Sequence, residues 1–137
     1  MREYLKFYID GQWVDPVEPK SLDVDNPTTE QVSGKIAIGT TADVGKAVTA
    51  ARKAFATWSQ TTREERLDVL QAIQAEYQKR AADLAEAVTE EMGAPRSLAA
   101  GPQVSMGLGH LATATDVLKN FEFEERHGTT LVVKEPI

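Results

Sequence analysis

Up to Gly39 the apolar residues recur with a period of two. From Thr40 the period lengthens to about 3.6, so the chain divides into a strand-rich start and a helical remainder. Phe7-Tyr8-Ile9 and Gln12-Trp13-Val14 flank Asp10-Gly11, a dipeptide that tolerates the positive φ angles of a two-residue turn, and together they predict a β-hairpin. Pro16 and Pro19 interrupt the pattern. Leu22-Asp23-Val24-Asp25 then reads as a short alternating strand, ending at the turn Asn26-Pro27-Thr28-Thr29 because proline biases the residue before it away from helix. A further strand is expected over Gly34-Lys35-Ile36-Ala37-Ile38-Gly39, bracketed by its two glycines.

Thr40 and Asp43 have the spacing of a capping box, and Val44, Ala47, Val48, Ala51, Phe55 and Trp58 then return to one helical face. A second helix starts at Thr61 and Thr62, followed at the same spacing by Glu64 and Glu65, and carries Leu67, Leu70, Ile73 and Tyr77. A third spans residues 80–92 with Ala81, Leu84, Ala85 and Val88 inward, closed by Gly93 and Pro95 in the order expected of a helix end. The fourth, residues 102–121, aligns Val104, Leu108, Leu111, Thr115 and Leu118. Gly101, Gly107 and Gly109 each weaken it by about 1 kcal/mol relative to alanine. They therefore mark a close approach, by a neighbouring helix or by a ligand.

The final run, from Thr129 through Leu131-Val132-Val133 to Pro136-Ile137, is β-branched and apolar and predicts a terminal strand. Such a strand exposes a row of backbone donors and acceptors that a folded protein normally pairs or covers, so the chain reads as part of something larger. The expected architecture is α/β: a hairpin and short strands, four amphipathic helices, then a strand.

Composition narrows the function classes. The 137 residues are 42% hydrophobic and 26% charged, the size and balance of one globular unit, and no apolar run approaches the roughly 18 residues that span a bilayer. With 21 acidic against 15 basic residues the net charge is −6, and no dense Lys/Arg cluster exists to follow a phosphate backbone, which argues against nucleic acid. The N-terminus lacks an apolar signal core, which points to the cytoplasm. The absence of cysteine excludes a disulfide, a thiolate metal site and a thiol nucleophile within these residues.

Candidate chemistry is sparse. His110 and His127 have no ligand-type partner at i+3 or i+4. Glu90-Glu91 and the Glu122, Glu124, Glu125 group read as solvated carboxylates. Gly107-Leu108-Gly109 follows no strand and lacks the remaining parts of a dinucleotide fingerprint. Spacing alone therefore yields no self-contained active site.

The order of segments nevertheless resembles the N-terminal portion of the NAD(P)-dependent aldehyde dehydrogenases. The resemblance rests on Phe7 to Val14, Asn26-Pro27-Thr28-Thr29-Glu30, the helix with Ala50-Ala51-Arg52-Lys53-Ala54-Phe55-Ala56-Thr57-Trp58, Thr62-Arg63-Glu64-Glu65-Arg66, Glu90-Glu91-Met92-Gly93-Ala94-Pro95 and Leu131 to Ile137. It implies an incomplete Rossmann-like cofactor domain over residues 1–128 and the start of an oligomerisation strand over residues 129–137. It also implies oxidation of an aldehyde to a carboxylic acid with NAD or NADP, through a cysteine thiohemiacetal, by catalytic and cofactor-binding residues beyond this chain. Three roles are implied within it. Val24 and Asp25, through backbone oxygens, and Glu91 resemble ligands of a monovalent cation, Na+ or K+. Gly107 and Leu111 resemble a wall of the aldehyde tunnel. Residues 129–137 resemble the strand through which subunits form a homo-dimer or tetramer. The competing reading is a non-catalytic helical interaction module or a vestigial truncated gene product, and a self-sufficient hydrolase or metal enzyme built on the two histidines is a third.

Overall fold

The structure is a computed structural model that describes residues 2–135. Strand β1 (Arg2–Tyr4) precedes the hairpin of β2 (Phe7–Ile9) and β3 (Gln12–Val14). Its turn places Asp10 at φ 51° and Gly11 at φ 76°, the two positive angles that let a two-residue loop follow the strand twist. β4 (Ser21–Asn26) and β5 (Gln31–Ala37) pair antiparallel, while β1 joins the other edge of β5 in parallel, giving the order β1-β5-β4.

This corrects the strand expected at residues 34–39, which begins and ends earlier. Gly34 does not bracket β5 but sits inside it, opposite Arg2, where a Cβ would lie 2.8 Å from the Arg2 carbonyl oxygen. The missing side chain is what admits β1, a strand the apolar pattern did not reveal. Between Val24 and Asp25 the pairing slips from Gly34 to Val32, leaving Ser33 as the extra residue of a bulge; its hydroxyl donates to the Val24 carbonyl at 2.9 Å.

Helix α1 (Thr41–Trp58) starts as expected: the Thr40 N–H donates to Asp43 Oδ2 at 2.8 Å. The other oxygen of the buried Asp43 accepts from Val17 N–H at 2.9 Å, so one carboxylate both caps the helix and ties down the proline loop before it. In α2 (Arg63–Lys79), Thr62 and Glu65 form a reciprocal capping box. α3 (Ala81–Met92) ends at Gly93, left-handed at φ 69°. The predicted fourth helix is divided. A single turn, α4 (Arg96–Leu98), leads through a π-type turn at Ala99–Gln103 into α5 (Val104–Asn120). Gly101 has a non-helical backbone and Pro102 has no N–H to donate, so the regular helix starts only at Val104.

Beyond α5, β6 (Glu124–His127) turns through Gly128, φ 62°, into β7 (Thr130–Val133). The strand expected from Thr129 is therefore paired along one edge, by a partner whose acidic sequence concealed it. Pro136 and Ile137 lie outside the described residues.

Burial is shallow. The buried apolar set is Ala85, Ala94, Ala99 and Val104, with Tyr77, Ala81 and Val88 packed against it. The stripe predicted to face inward from α1 is open: Val44 is 60% exposed, Val48 54%, Phe55 42% and Trp58 41%. The accessible surface is 10,050 Å², whereas a compact monomer of this mass exposes roughly 7,000 Å². About 3,000 Å² more than a self-contained domain shows is left uncovered.

Candidate functional site

Two places gather the residues singled out from the sequence. The first is a cleft where β4 and β5 meet the end of α3. The Asn26 side chain accepts from Thr28 N–H at 2.8 Å and shapes the turn after β4. The Thr28 hydroxyl in turn lies 3.4 Å from the Gly93 carbonyl and docks that turn on the end of α3. Val24 and Glu91 consequently line one cleft of about 40 Å³, together with Arg2, Ser33, Lys35 and Glu90. This is space for a few waters or a small ion and too little for an aldehyde.

As a cation site it fits in part. The Val24 carbonyl, which already accepts from the Ser33 hydroxyl, and the Glu91 carboxylate are oxygen donors of this cleft. Asp25 does not line the cleft, so the three expected ligands are not gathered as a set. Arg2, 3.2 Å from Glu90 and 3.7 Å from Glu86, brings its own positive charge to the same wall. Among the described residues no cluster of three or more His, Cys, Asp or Glu side chains is arranged to hold a metal.

The second place is the antiparallel seam between α2 and α5. Gly107 meets Tyr77, whose ring lies so close that a Cβ would sit 2.9 Å from Cζ. The Tyr77 hydroxyl donates to the Val104 carbonyl at 2.8 Å. One turn back on α2, Gln74 Nε2 donates to the Leu111 carbonyl at 3.0 Å and to the buried Thr115 hydroxyl at 2.6 Å. At the far end the Arg63 guanidinium donates to the carbonyls of Lys119 and Phe121 and lies over the Phe123 ring at 5.6 Å. The periodicity places Tyr77 on the apolar face; it gives no sign that its hydroxyl, with Gln74 and Arg63, bonds the backbone opposite. The only hint is a glycine, Gly107, on the facing stripe. A methyl group at Gly109 would meet no atom within 4 Å, so close approach explains one of these two glycines and not the other.

The remaining candidates stay apart. His110 is exposed on α5. His127 Nε2 lies 3.2 Å from Glu125 on the exposed hairpin, and Glu125 also pairs with Lys134. Hydrogen bonds from the Thr40 backbone, the Thr62 backbone, Lys79 and Lys134 hold Asp43, Glu65, Glu76 and Glu125, respectively, below their ordinary pKa. A carboxylate lowered in this way is a weaker proton acceptor, the opposite of what a general base at neutral pH needs. Gly107-Leu108-Gly109 lies within α5 rather than after a strand, so it forms no phosphate loop. No helix among the described residues is long and apolar enough to cross a membrane.

The structure is a mixed α/β scaffold with one narrow cleft and a helix anchored through its backbone. The sequence profile described as "Aldehyde dehydrogenase family" matches residues 13–137, and the chain belongs to that family. It is 47% identical over 137 residues to the 3-succinoylsemialdehyde-pyridine dehydrogenase of a Pseudomonas species, covering 99% of this chain and 29% of that protein. Among solved structures, an aldehyde dehydrogenase from Bartonella henselae superposes with a TM-score of 0.91 at 40% identity, over 94% of this chain and 28% of the other. Aldehyde dehydrogenase C of Pseudomonas syringae, solved with NAD+ and octanal, gives 0.88 at 44% identity, over 92% and 26%. The chain thus spans less than a third of the length of these relatives.

Proposed function

We propose that this chain is the N-terminal part of an oxidoreductase that converts an aldehyde to a carboxylic acid with NAD or NADP. The reading is carried by one observation: apolar helix faces are left open to an extent that a self-contained domain of this size does not tolerate, in a chain of the aldehyde dehydrogenase family. In this reading the attacking thiolate, which forms the thiohemiacetal, comes from sequence beyond these cysteine-free residues. NAD(P)+ takes up the hydride when bound, and no residue of this chain is assigned to it.

The chain supplies scaffold and access. Residues 1–128 serve as the first part of the cofactor domain. Gly107 and Leu111 on α5 form one wall of the aldehyde path. The Val24 carbonyl and Glu91 hold a monovalent cation at the cleft, with Asp25 next in sequence to Val24, a structural role. Residues 129–137, with β7 at their start, pair subunits in a homo-dimer or tetramer.

The test is to purify the native product, determine its mass and follow NAD(P)H absorbance with a panel of aldehydes. A species much heavier than 15.0 kDa that reduces the nicotinamide is expected. A natural 137-residue product that forms no NAD(P)H would sink the proposal in favour of a non-catalytic module.

A further inference from the structure

We infer that Tyr77, Gln74 and Arg63 are positioning residues that fix the register of α5, so that aldehyde selectivity depends on α2 side chains acting through the α5 backbone. The inference rests on the proposed role of α5 as a tunnel wall. Its own ground is the pattern of donors along the seam. Three α2 side chains donate to main-chain carbonyls at the start and middle of α5, Val104 and Leu111, and at its exit, Lys119 and the following Phe121. Apolar contacts slide; a hydrogen bond to a carbonyl does not, because it weakens steeply once distance and angle leave a narrow range. A shift of one residue moves a helix about 1.5 Å along its axis and turns it about 100°, which would break all three.

Gly107 completes the seat. With no side chain there, the Tyr77 ring can lie against the helix and bring its hydroxyl to Val104. Thr115 has the same function one turn on from Leu111, since its hydroxyl accepts from Gln74 while donating to the Leu111 carbonyl at 2.8 Å. The result is a helix located by its backbone, with Leu111 delivered to a fixed place.

The experiment uses the full-length enzyme carrying this segment, as wild type, Tyr77→Phe, Gln74→Leu and the double variant. Steady-state kcat and KM are measured with propanal and octanal. Losing one neutral hydrogen bond is worth about a three- to tenfold change in an equilibrium. The octanal-to-propanal ratio of kcat/KM should therefore shift by about fivefold in each single variant and further in the double, through KM for octanal, while kcat for propanal stays within about twofold. Tyr77→Phe removes a single oxygen atom and retains the ring, so it decides the matter even if Gln74→Leu fails to fold. An unchanged ratio, or equal losses on both aldehydes, in an active enzyme overturns this inference alone. A wild type that oxidises neither aldehyde overturns the proposed function and this inference with it.

Discussion

Replacing Val44 with Glu and Val48 with Lys should leave the isolated chain's stability almost unchanged and severely weaken the assembled enzyme. Both valines are more exposed than buried in the chain itself, at 60% and 54%. There the pair places an acid near the α1 N-terminus and a base four residues later, a favourable arrangement on a free helix, and the lysine stem can lie where the valine was. The unfolding free energy of the 137-residue chain should change by less than about 0.5 kcal/mol. If the rest of the enzyme covers this face, the same valines have about 1 kcal/mol each of burial still to gain. Two buried charges would add several kcal/mol against assembly, for a total beyond about 5 kcal/mol, comparable with the whole stability of a domain. Sedimentation velocity of the chain at micromolar concentration should show wild type heavier than 15.0 kDa and the variant closer to monomer, with urea midpoints that agree once both are diluted to monomer. The full-length variant should melt at least about 10 °C below wild type or fail to assemble. A full-length variant melting within about 2 °C of wild type would show that the α1 face is a free surface, and the reasoning from exposed area would fail.

Gly93→Ala should destabilise by about 2–4 kcal/mol, because it forces a left-handed φ on alanine and its Cβ would sit 2.6 Å from Thr28 Oγ1 and 3.0 Å from the Pro27 ring. Gly11→Ala, with no atom within 4 Å, should cost only about 1 kcal/mol, so matching urea midpoints for the two variants would refute the steric part. Asp43 has a lowered pKa in the folded state, so its contribution is present above the unfolded-state pKa and lost as pH falls through the folded one. The midpoint penalty of Asp43→Ala should accordingly be largest near pH 7 and shrink below about pH 4; a penalty independent of pH would contradict it. Exchange of choline chloride for NaCl or KCl should raise the melting temperature of the full-length enzyme, and Glu91→Gln should abolish that rise; an equal rise in both proteins would exclude the cation role.

Local signals carry most of the fold. Asp10-Gly11, the Thr40/Asp43 and Thr62/Glu65 boxes and the Gly93 stop are each written within a few residues, and each forms as expected. What escapes the sequence depends on distant partners. β1 exists because Gly34, 32 positions away, leaves room for the Arg2 carbonyl. β6, Glu124-Glu125-Arg126-His127, carries polar and charged residues rather than apolar ones, and only its pairing with β7 makes it a strand. The site is legible as residue names more than as geometry: Val24 and Glu91 share a cleft, Asp25 lies outside it, and Gly107 faces a tyrosine. The donors on α2 are hidden because Tyr77 and Gln74 also satisfy the periodicity of an ordinary packed helix.

The notch at Gly34 also bears on errors of folding. A short parallel strand of three residues, such as β1, has little sequence of its own with which to choose between pairings one step apart. At Gly34 the Arg2 carbonyl lies where a side chain would begin, with only 2.8 Å between that oxygen and a Cβ, so the strand can close there only against a glycine. A single absent side chain thus makes closure of the sheet by its first strand depend on one residue, and a Gly34→Ala change at that point strikes the sheet edge before any core contact is touched.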